Sequence, residues 1–265
     1  MSDLAPYRVQ AYNTSKASEN KIHDDDVARR FGFRGGLVPG VDVYGYMTHL
    51  PVMRWGRAWL ERGTAECRLL KPVYDGDTAT VTATEADGAL ELSLESRGEI
   101  CATGRAALPA APPAVALADF AAPAPLPVER PAADESSLVA GMGLAMRPFP
   151  VTPDLAAQYL SEVRETAPLY RAEGLVHPAT ILRPGNWVLK DNVVLGPWMH
   201  VGSTVRHLAA ARVGETLTAR ARIAANYERK GHRFVDLDLL VLADDRPVAQ
   251  IAHTAIYRPR QLAAA

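Results

Sequence analysis

The stretch Ser18–Met47 reads SENKIHDDDVARRFGFRGGLVPGVDVYGYM and decides the fold. It places a polar triplet, Ser18, Asn20 and His23, ahead of a short helix, a glycine-rich turn and the start of a long apolar helix. His23 can exchange a proton near neutral pH. The turn ending at Gly40 presents unpaired backbone N–H groups at the head of the next helix, where such groups stabilise a developing oxyanion. This order predicts a compact acyl-binding site.

The segments on either side of the turn predict two helices. Asp24, Asp25 and Asp26 are expected in the first turn of the short helix, where carboxylates favour the positive end of the helix dipole, and capping is their more frequent role. Apolar residues from position 41 to 62 recur mostly at helical spacing, and Gly63 is a natural stop. Pro51 predicts a bend or a split in this helix. Its aromatic face suits a core or the lining of an acyl tunnel.

Composition excludes several classes of protein. The 265 residues are 48% apolar and 22% charged, which is enough for a sizeable core. A net charge of −1 gives no electrostatic reason to expect nucleic acid or an anionic membrane as a partner. Cys67 and Cys101 cannot form a disulfide framework, and no zinc-type spacing occurs. The N-terminus lacks a signal peptide and no stretch is long enough to span a membrane, so a cytoplasmic location is expected.

The first half has the element order of a hotdog unit. One strand at 7–12 precedes the long helix, and strands at 66–70, 78–84, 90–95 and 100–108 follow it. This order predicts an antiparallel sheet curled around a central helix, over residues 1–108. Residues 109–135 are mostly alanine and proline, which predicts a semi-extended linker.

The second half, residues 136–265, repeats the pattern in weaker form. We expect a strand at 144–151, a helix at 154–167 capped through Thr152 or Asp154, an apolar segment at 181–194 in place of the central helix, and strands at 198–213, 216–227, 234–242 and 248–257. The sequence therefore predicts an α+β tandem, or double, hotdog fold. Such a chain is a pseudo-dimer in itself, and two chains can also associate as a homodimer.

The Ser18–Met47 stretch resembles the hydratase motif of MaoC-like (R)-specific enoyl-CoA hydratases and dehydratases. That motif is roughly Asp-x-Asn-Pro-x-His, followed by a helix and a glycine-rich turn. Asn20, Ile22, His23 and the turn Gly36–Gly40 match it. Ser18 stands where the family has its aspartate, and a lysine replaces the proline. In the family the aspartate and the histidine share the water that is added or removed.

The resemblance implies a double hotdog lyase that adds water to, or removes it from, the 2,3-position of an enoyl- or 3-hydroxyacyl thioester. The carrier would be coenzyme A or an acyl-carrier protein. His23 would be the general base, Asn20 would orient the water or the histidine, and Ser18 would complete the site. The backbone N–H groups of Gly40 and Val41 would hold the carbonyl. No metal, nucleotide or redox cofactor is implied, and only the N-terminal half carries the motif.

The serine at position 18 leaves alternatives open. A hydroxyl does not release its proton near pH 7 without help, so it cannot simply replace a carboxylic acid. Either His23 handles both proton transfers, or Asp24 or Asp25 moves in, or hydratase activity is weak or lost. A hotdog thioesterase, in which His23 activates water against the carbonyl carbon, is the first alternative. A non-catalytic acyl-binding subunit is the second.

The second half offers further candidates around residues 198–207. In a regular strand His200 and Arg206 share one face, and Ser203 and His207 share the other. No nucleophile elbow surrounds Ser203, so structural or substrate-pocket roles are expected. Arg183, Lys190, Arg229 and Lys230 could meet coenzyme A phosphates, although scattered bases are usually solvated surface, and His177, His232 and His253 are expected in loops or sheets.

Overall fold

The computed structural model describes residues 4–112 and 114–260. Within these residues, eleven strands form one sheet in which every strand pair is antiparallel. The strands are β1 Tyr7–Gln10, β2 Thr64–Leu69, β3 Thr78–Ala86, β4 Ala89–Ser96, β5 Glu99–Ala107, β6 Gly143–Leu144, β7 Phe149–Pro150, β8 Met199–His207, β9 Thr216–Arg229, β10 His232–Ala243 and β11 Arg246–Arg258. The α-helices are α1 Asp25–Arg30, α2 Gly40–Trp55, α3 Arg57–Arg62, α4 Pro153–Glu162, α5 Leu169–Glu173, α6 Pro178–Leu182 and α7 Pro184–Asn192, with 3₁₀ turns at Lys21–His23 and Leu117–Asp119.

Helix α2 is the central helix of the first half. Every residue from Val41 to Val52 is buried, which confirms the predicted core helix. The predicted split occurs at Gly56, where φ is +58°, and not at Pro51, which lies inside α2. Glycine reaches positive φ without steric cost, so the chain breaks there and restarts as α3.

The two halves share one continuous sheet. Its strand order is β1-β3-β4-β5-β2-β8-β11-β10-β9-β6, with β7 also paired to β9. The halves meet where β2 pairs with β8, with Cys67 opposite Ser203. On the helical side, α2 packs closely on α6, because a Cβ at Gly45 would lie 3.0 Å from the Cβ of Ala179. This is the predicted pseudo-dimer arrangement within one chain.

The start of the second half departs from the prediction. The expected strand at 144–151 is two short strands, β6 and β7. Between these two strands, the N–H groups of Ala145 and Arg147 donate to the side chains of Asn192 and Asp191 on α7. These N–H groups are therefore not available to a sheet. Helix α4 is capped by Thr152, as expected, but ends at Glu162, five residues early.

The remaining elements of the second half follow the prediction closely. Two consecutive helices, α6 and α7, stand in place of a single central helix. Strands β8 to β11 match the four expected strands, although β8 ends at His207. Between β5 and β6 the described residues contain the Leu117–Asp119 turn and an isolated bridge from Ala132 to Val194, and the division into two domains and a linker stays a prediction. No helix among the described residues is long and apolar enough to cross a membrane.

Candidate active site

Local hydrogen bonds shape the segment around His23. The Asn20 side chain caps the 3₁₀ turn by accepting from the Ile22 N–H at 3.3 Å. Asp24 caps α1 by accepting from the N–H groups at positions 26 and 27, which confirms the capping interpretation. Asp25 Oδ1 accepts from the Gly36 N–H at 2.7 Å and ties the glycine-rich turn to α1. Neither Asp24 nor Asp25 lines a cavity next to His23, so neither has moved in as the missing acid.

The His23 ring is held in one tautomer. Its Nδ1 lies 2.7 Å from the Leu37 carbonyl oxygen, which can only accept, so Nδ1 carries the proton. The lone pair is therefore on Nε2, which lies 3.4 Å from Asn20 Nδ2. Burial lowers the pKa of His23, and the bond to Leu37 opposes that effect. A neutral imidazole with an unprotonated Nε2 has the form that a general base needs.

Asn20 also connects the two halves of the chain. Its Nδ2 donates to the Trp198 carbonyl at 3.0 Å, and its Oδ1 accepts from the Trp198 N–H at 3.3 Å. Trp198 directly precedes β8, so this clamp brings the start of β8 beside His23. The candidate site thus lies at the junction of the halves. The sequence does not reveal this contact, because Asn20 and Trp198 are 178 positions apart.

Ser18 does not take the place of the family's carboxylate. Its Oγ donates to the Asn20 backbone carbonyl at 3.2 Å, and the described residues give it no bond to His23. Ser18 is thus near the site but is bonded to the backbone of the motif. The structure brings Asn20 and His23 together, with Ser18 at the periphery.

Two adjoining cavities meet at His23. The first, of about 350 Å³, is mostly apolar and is lined by His23, Gly40 and His200 together with side chains such as Phe31, Phe33, Leu69 and Ile256. The second, of about 140 Å³, is lined by Ser18, Val41 and three basic residues, Arg130, Arg183 and Lys190. Both cavities share Asn20, His23, Pro39, Asn186 and Trp198. A ligand spanning the two would pass the His23 ring.

The head of α2 presents free backbone donors. Its N-cap, Pro39, is extended and offers no side-chain cap, and the N–H groups of Asp42 and Val43 both bond to the Pro39 carbonyl. Within the described residues the N–H groups of Gly40 and Val41 have no acceptor. Gly40 lines the first cavity and Val41 the second. These predicted oxyanion donors are thus available at the wall of the site.

A serine between two histidines forms a second polar group at the first cavity. Ser203 Oγ lies 2.8 Å from His200 Nε2 and 3.0 Å from His253 Nδ1, and the two rings stack with centroids 4.2 Å apart. Burial lowers the pKa of His200 to about 4, although the Gly202 backbone opposes that effect, and burial lowers the pKa of His253 well below its ordinary value. Both rings are therefore neutral.

This arrangement corrects the expected strand faces. The register between β8 and β11 shifts between Thr254 and Ala255, so the alternation of β8 is interrupted and His200 lies on the same side as Ser203. Arg206 is exposed, and His207 packs edge-on against Trp59 at 4.8 Å. The sequence contained all these residues, but no local signal joins Ser203 to a histidine 50 positions away.

Two buried carboxylates join the halves behind the site. Asp42, with no exposed surface, accepts from Tyr159 at 2.8 Å and from Thr14 at 2.5 Å, and Arg183 Nη2 lies 3.4 Å from it. The positive charge of Arg183 is therefore committed to Asp42, although the side chain lines the second cavity.

Glu165 is the other carboxylate. Its Oε1 lies 2.7 Å from His49 Nδ1, and its Oε2 lies 3.4 Å from His177 Nε2 without hydrogen-bond geometry. Burial by itself raises the pKa of Glu165, but His177 and His49 outweigh it and hold that pKa well below its ordinary value. No group of three or more side chains able to hold a metal ion occurs among residues 4–112 and 114–260.

No protein-family model and no curated protein sequence matches the chain. Solved structures do match, and they define the class: the chain has the double hotdog fold. A conserved hypothetical protein of Mycobacterium tuberculosis with a double hotdog fold is 17% identical, with a TM-score of 0.64, over 97% of this chain and 96% of its own.

Two further structures carry activity names. A protein of Chloroflexus aurantiacus provisionally assigned as a MaoC domain dehydratase is 13% identical, with a TM-score of 0.66, over 97% of this chain and 94% of its own. A protein of Novosphingobium aromaticivorans provisionally assigned as a thioesterase is 12% identical, with a TM-score of 0.51, over 96% of both chains. The resemblance to MaoC-like proteins is confirmed at the level of the fold, which dehydratases and thioesterases share.

Proposed function

We propose that this chain is an acyl thioester hydratase or dehydratase, acting at the 2,3-position of an enoyl- or 3-hydroxyacyl thioester. One observation carries the proposal. His23 is fixed with its lone pair on Nε2 at the meeting point of two cavities, beside the free N–H groups of Gly40 and Val41. A base and an oxyanion site within one apolar cleft suit the chemistry of an α,β-unsaturated thioester.

In the hydration direction, the thioester carbonyl oxygen accepts from the N–H groups of Gly40 and Val41. Asn20 Nδ2 and His23 Nε2 hold a water, and His23 takes a proton as the water oxygen bonds to C3. The electron pair of the C2=C3 bond moves toward the carbonyl, giving an enolate that the two N–H groups stabilise. The His23 imidazolium then returns its proton to C2.

His23 carries both proton transfers in this proposal. Ser18 is bonded to the Asn20 carbonyl, and Asp24 and Asp25 are engaged in capping and in the glycine-rich turn. No carboxylate lines the first cavity among the described residues. The structural neighbour from Chloroflexus, named as a dehydratase, supports the reaction type. We propose coenzyme A or an acyl-carrier protein as the carrier and the cytoplasm as the location of the chain.

A thioesterase is the second candidate, and the bonding of Ser18 favours it. Without an acid at position 18, His23 can still activate water against the carbonyl carbon, after which the thiolate leaves and takes a proton. The Novosphingobium neighbour, named as a thioesterase, has the same fold. A non-catalytic acyl-binding subunit would use the same cavities without turnover.

The test is an assay of the purified chain on short and long enoyl-CoA, following enoyl absorbance and free thiol together. We expect absorbance to fall without release of thiol, and His23→Ala to lower the rate about 10²–10⁴-fold. Asp26→Asn, on the exposed face of α1, is the matched control and should be fully active. Release of thiol would select the thioesterase, and binding without either signal would select the acyl-binding subunit.

A further inference from the structure

Gly40 packs directly against the ring of His200. A Cβ at position 40 would lie 2.8 Å from His200 Nδ1 and 3.2 Å from the His200 Cβ. His200 is 8% exposed and lines the first cavity, and its Nδ1 is buried without a hydrogen-bond partner in the described part of the chain. An unpartnered polar atom is thus aimed at the head of α2, where the free Gly40 N–H lies.

The bonds of Ser203 decide which atom of His200 carries the proton. The hydroxyl proton of Ser203 has no acceptor among the described residues besides its two neutral histidine neighbours, so Ser203 donates to one ring and accepts from the other. If His253 Nδ1–H donates to Ser203 and Ser203 donates to His200 Nε2, the remaining N–H is His200 Nδ1–H. If the two hydrogen bonds run in the opposite direction, from His200 through Ser203 to His253, the remaining N–H is that of His253 Nε2.

The cavity lining favours the first direction. Both outward ring nitrogens are buried without a partner among the described residues, but His200 lines the first cavity whereas His253 lines neither cavity, so an N–H on His253 Nε2 would have no acceptor. An unpaired buried donor costs about 1–3 kcal/mol. The first direction places the unpaired N–H at the cavity wall instead, where a ligand oxygen can accept it.

We propose that His200 donates its Nδ1–H to the carbonyl oxygen of the bound acyl thioester, as a third oxyanion donor beside Gly40 and Val41. This inference rests on the proposed function for the identity of the ligand. His200 is then a catalytic residue, and Ser203 and His253 are positioning residues that fix its tautomer. A neutral imidazole held in one tautomer can polarise a carbonyl in an active site. Because Gly40 has no side chain, His200 Nδ1 can lie close to the head of α2, where the free N–H groups of Gly40 and Val41 are.

Two variants of similar size separate the donor from the packing. His200→Asn keeps an N–H close to the position of Nδ1, whereas His200→Leu removes it. We expect His200→Leu to lower kcat about 10²-fold, as loss of an oxyanion donor does, and His200→Asn to recover most of that loss. Ser203→Ala should lower kcat less, because the ring stays but its tautomer is no longer fixed.

A second readout does not depend on turnover. In a His23→Ala background, the infrared carbonyl stretch of bound enoyl-CoA labelled with ¹³C at the thioester carbonyl reports donation to its oxygen. The stretch should lie at a lower frequency than in solution, and should move back toward the solution value with His200→Leu but not with His200→Asn. Nitrogen-15 spectra of the histidine rings should show a protonated Nδ1 on His200 in the free protein.

The outcomes separate this inference from the proposed function. If the chain hydrates enoyl-CoA but the carbonyl frequency is the same with and without His200→Leu, the inference is overturned and the proposed function stands. If hydration is absent but the frequency depends on His200, the donor role stands and the hydratase proposal fails. Failure to bind the thioester, or a His200 protonated on Nε2, overturns the inference. Should His200→Leu fail to fold, His200→Asn and Ser203→Ala decide by the same frequency shift.

Discussion

The central helices of the two halves start with the same dipeptide, Pro39-Gly40 and Pro184-Gly185, yet only one start forms a site. Each glycine lies against a histidine ring, Gly40 against His200 and Gly185 against His253. Pro39 is extended, so α2 begins afresh with free N–H groups. Before Pro184 the chain is already helical, and the Arg183 N–H bonds to the Ala179 carbonyl of α6. A glycine at a helix start thus becomes a binding feature only where the helix is not the continuation of another.

The largest difference is expected between Gly40→Ala and Gly185→Ala. At position 40 a Cβ would lie 2.4 Å from Leu69 Cδ1 and 2.8 Å from His200 Nδ1, at the cavity wall. At position 185 it would lie 2.7 Å from His253 Nδ1, inside the core. Both should lose about 1–3 kcal/mol of stability through overpacking. Gly40→Ala should also lower kcat at least about 10²-fold, and Gly185→Ala should lower it less.

Urea unfolding and kcat per folded molecule, measured on both variants, separate the two effects. Equal losses of kcat would mean that the two helix starts contribute alike to catalysis, and the contrast drawn between them would fail.

Glu165→Gln probes the buried contacts that hold the halves together behind the site. The variant keeps the size of the side chain but removes the charge that faces His49 and His177. Breaking such a buried contact should cost about 3 kcal/mol in the free energy of unfolding. Glu173→Gln is the control, because it loses only a surface ion pair with Arg57, worth less than about 1 kcal/mol. Similar denaturation midpoints for the two variants would show that Glu165 contributes little to joining the halves.

The same carboxylate predicts a dependence of stability on pH. The pKa of Glu165 is held below its ordinary value of 4.5 in the folded chain, so its contribution is present above pH 4.5 and is lost as the pH falls. The stability difference between the native chain and Glu165→Gln should therefore shrink as unfolding is measured from pH 6 toward pH 3. A constant difference over that range would show that folding does not lower the pKa of Glu165.

A third comparison is between two asparagines, Asn20 and Asn192, each of which holds the backbone of one distant residue. Asn20 bonds to both backbone groups of Trp198 across the halves, and Asn192 bonds to both backbone groups of Ala145 within the second half. Each loss should cost about 1–3 kcal/mol. Only Asn20→Ala should also lower kcat, by about 10-fold, because it frees the start of β8 from His23 and removes the Nδ2 that holds the water in the proposed reaction. An equal fall in kcat with Asn192→Ala would attribute the effect to general loosening.

The smallest expected effect concerns the reactivity of the Cys67 thiol. Cys67 lies on β2 at the junction with β8, and burial raises the pKa of its thiol to about 12. In a Cys101→Ser background, a disulfide reagent at pH 8 should modify Cys67 far more slowly than in urea. Asn20→Ala should accelerate the modification, since it weakens the contact between the halves. Rapid modification of the native chain would show that this junction opens readily.

The features that local sequence patterns could predict are those set by neighbouring residues. Asn20 and His23 are three positions apart, Asp24 caps the next helix, and the glycine-rich turn precedes α2, so their order alone pointed to the site. The Trp198 clamp and the His253 partner could not be predicted, because pairing of distant strands creates them. The register shift beside His200 has no local sequence signal either. The helix break at Gly56 does have one, because glycine readily takes a positive φ.

Covalent fusion allows the two hotdog units to differ. When the sequences of the two repeats are aligned at Gly76 and Gly214, Arg62 takes the position equivalent to His200, and Ala65 takes the position equivalent to Ser203. In a pair of identical chains, any substitution that improved one site would be copied into the other, with whatever steric or charge cost it had there. In this chain Arg62 bonds to the Pro109 carbonyl while His200 faces Gly40. Because one polypeptide carries both units, each unit is free to supply different residues to a single site.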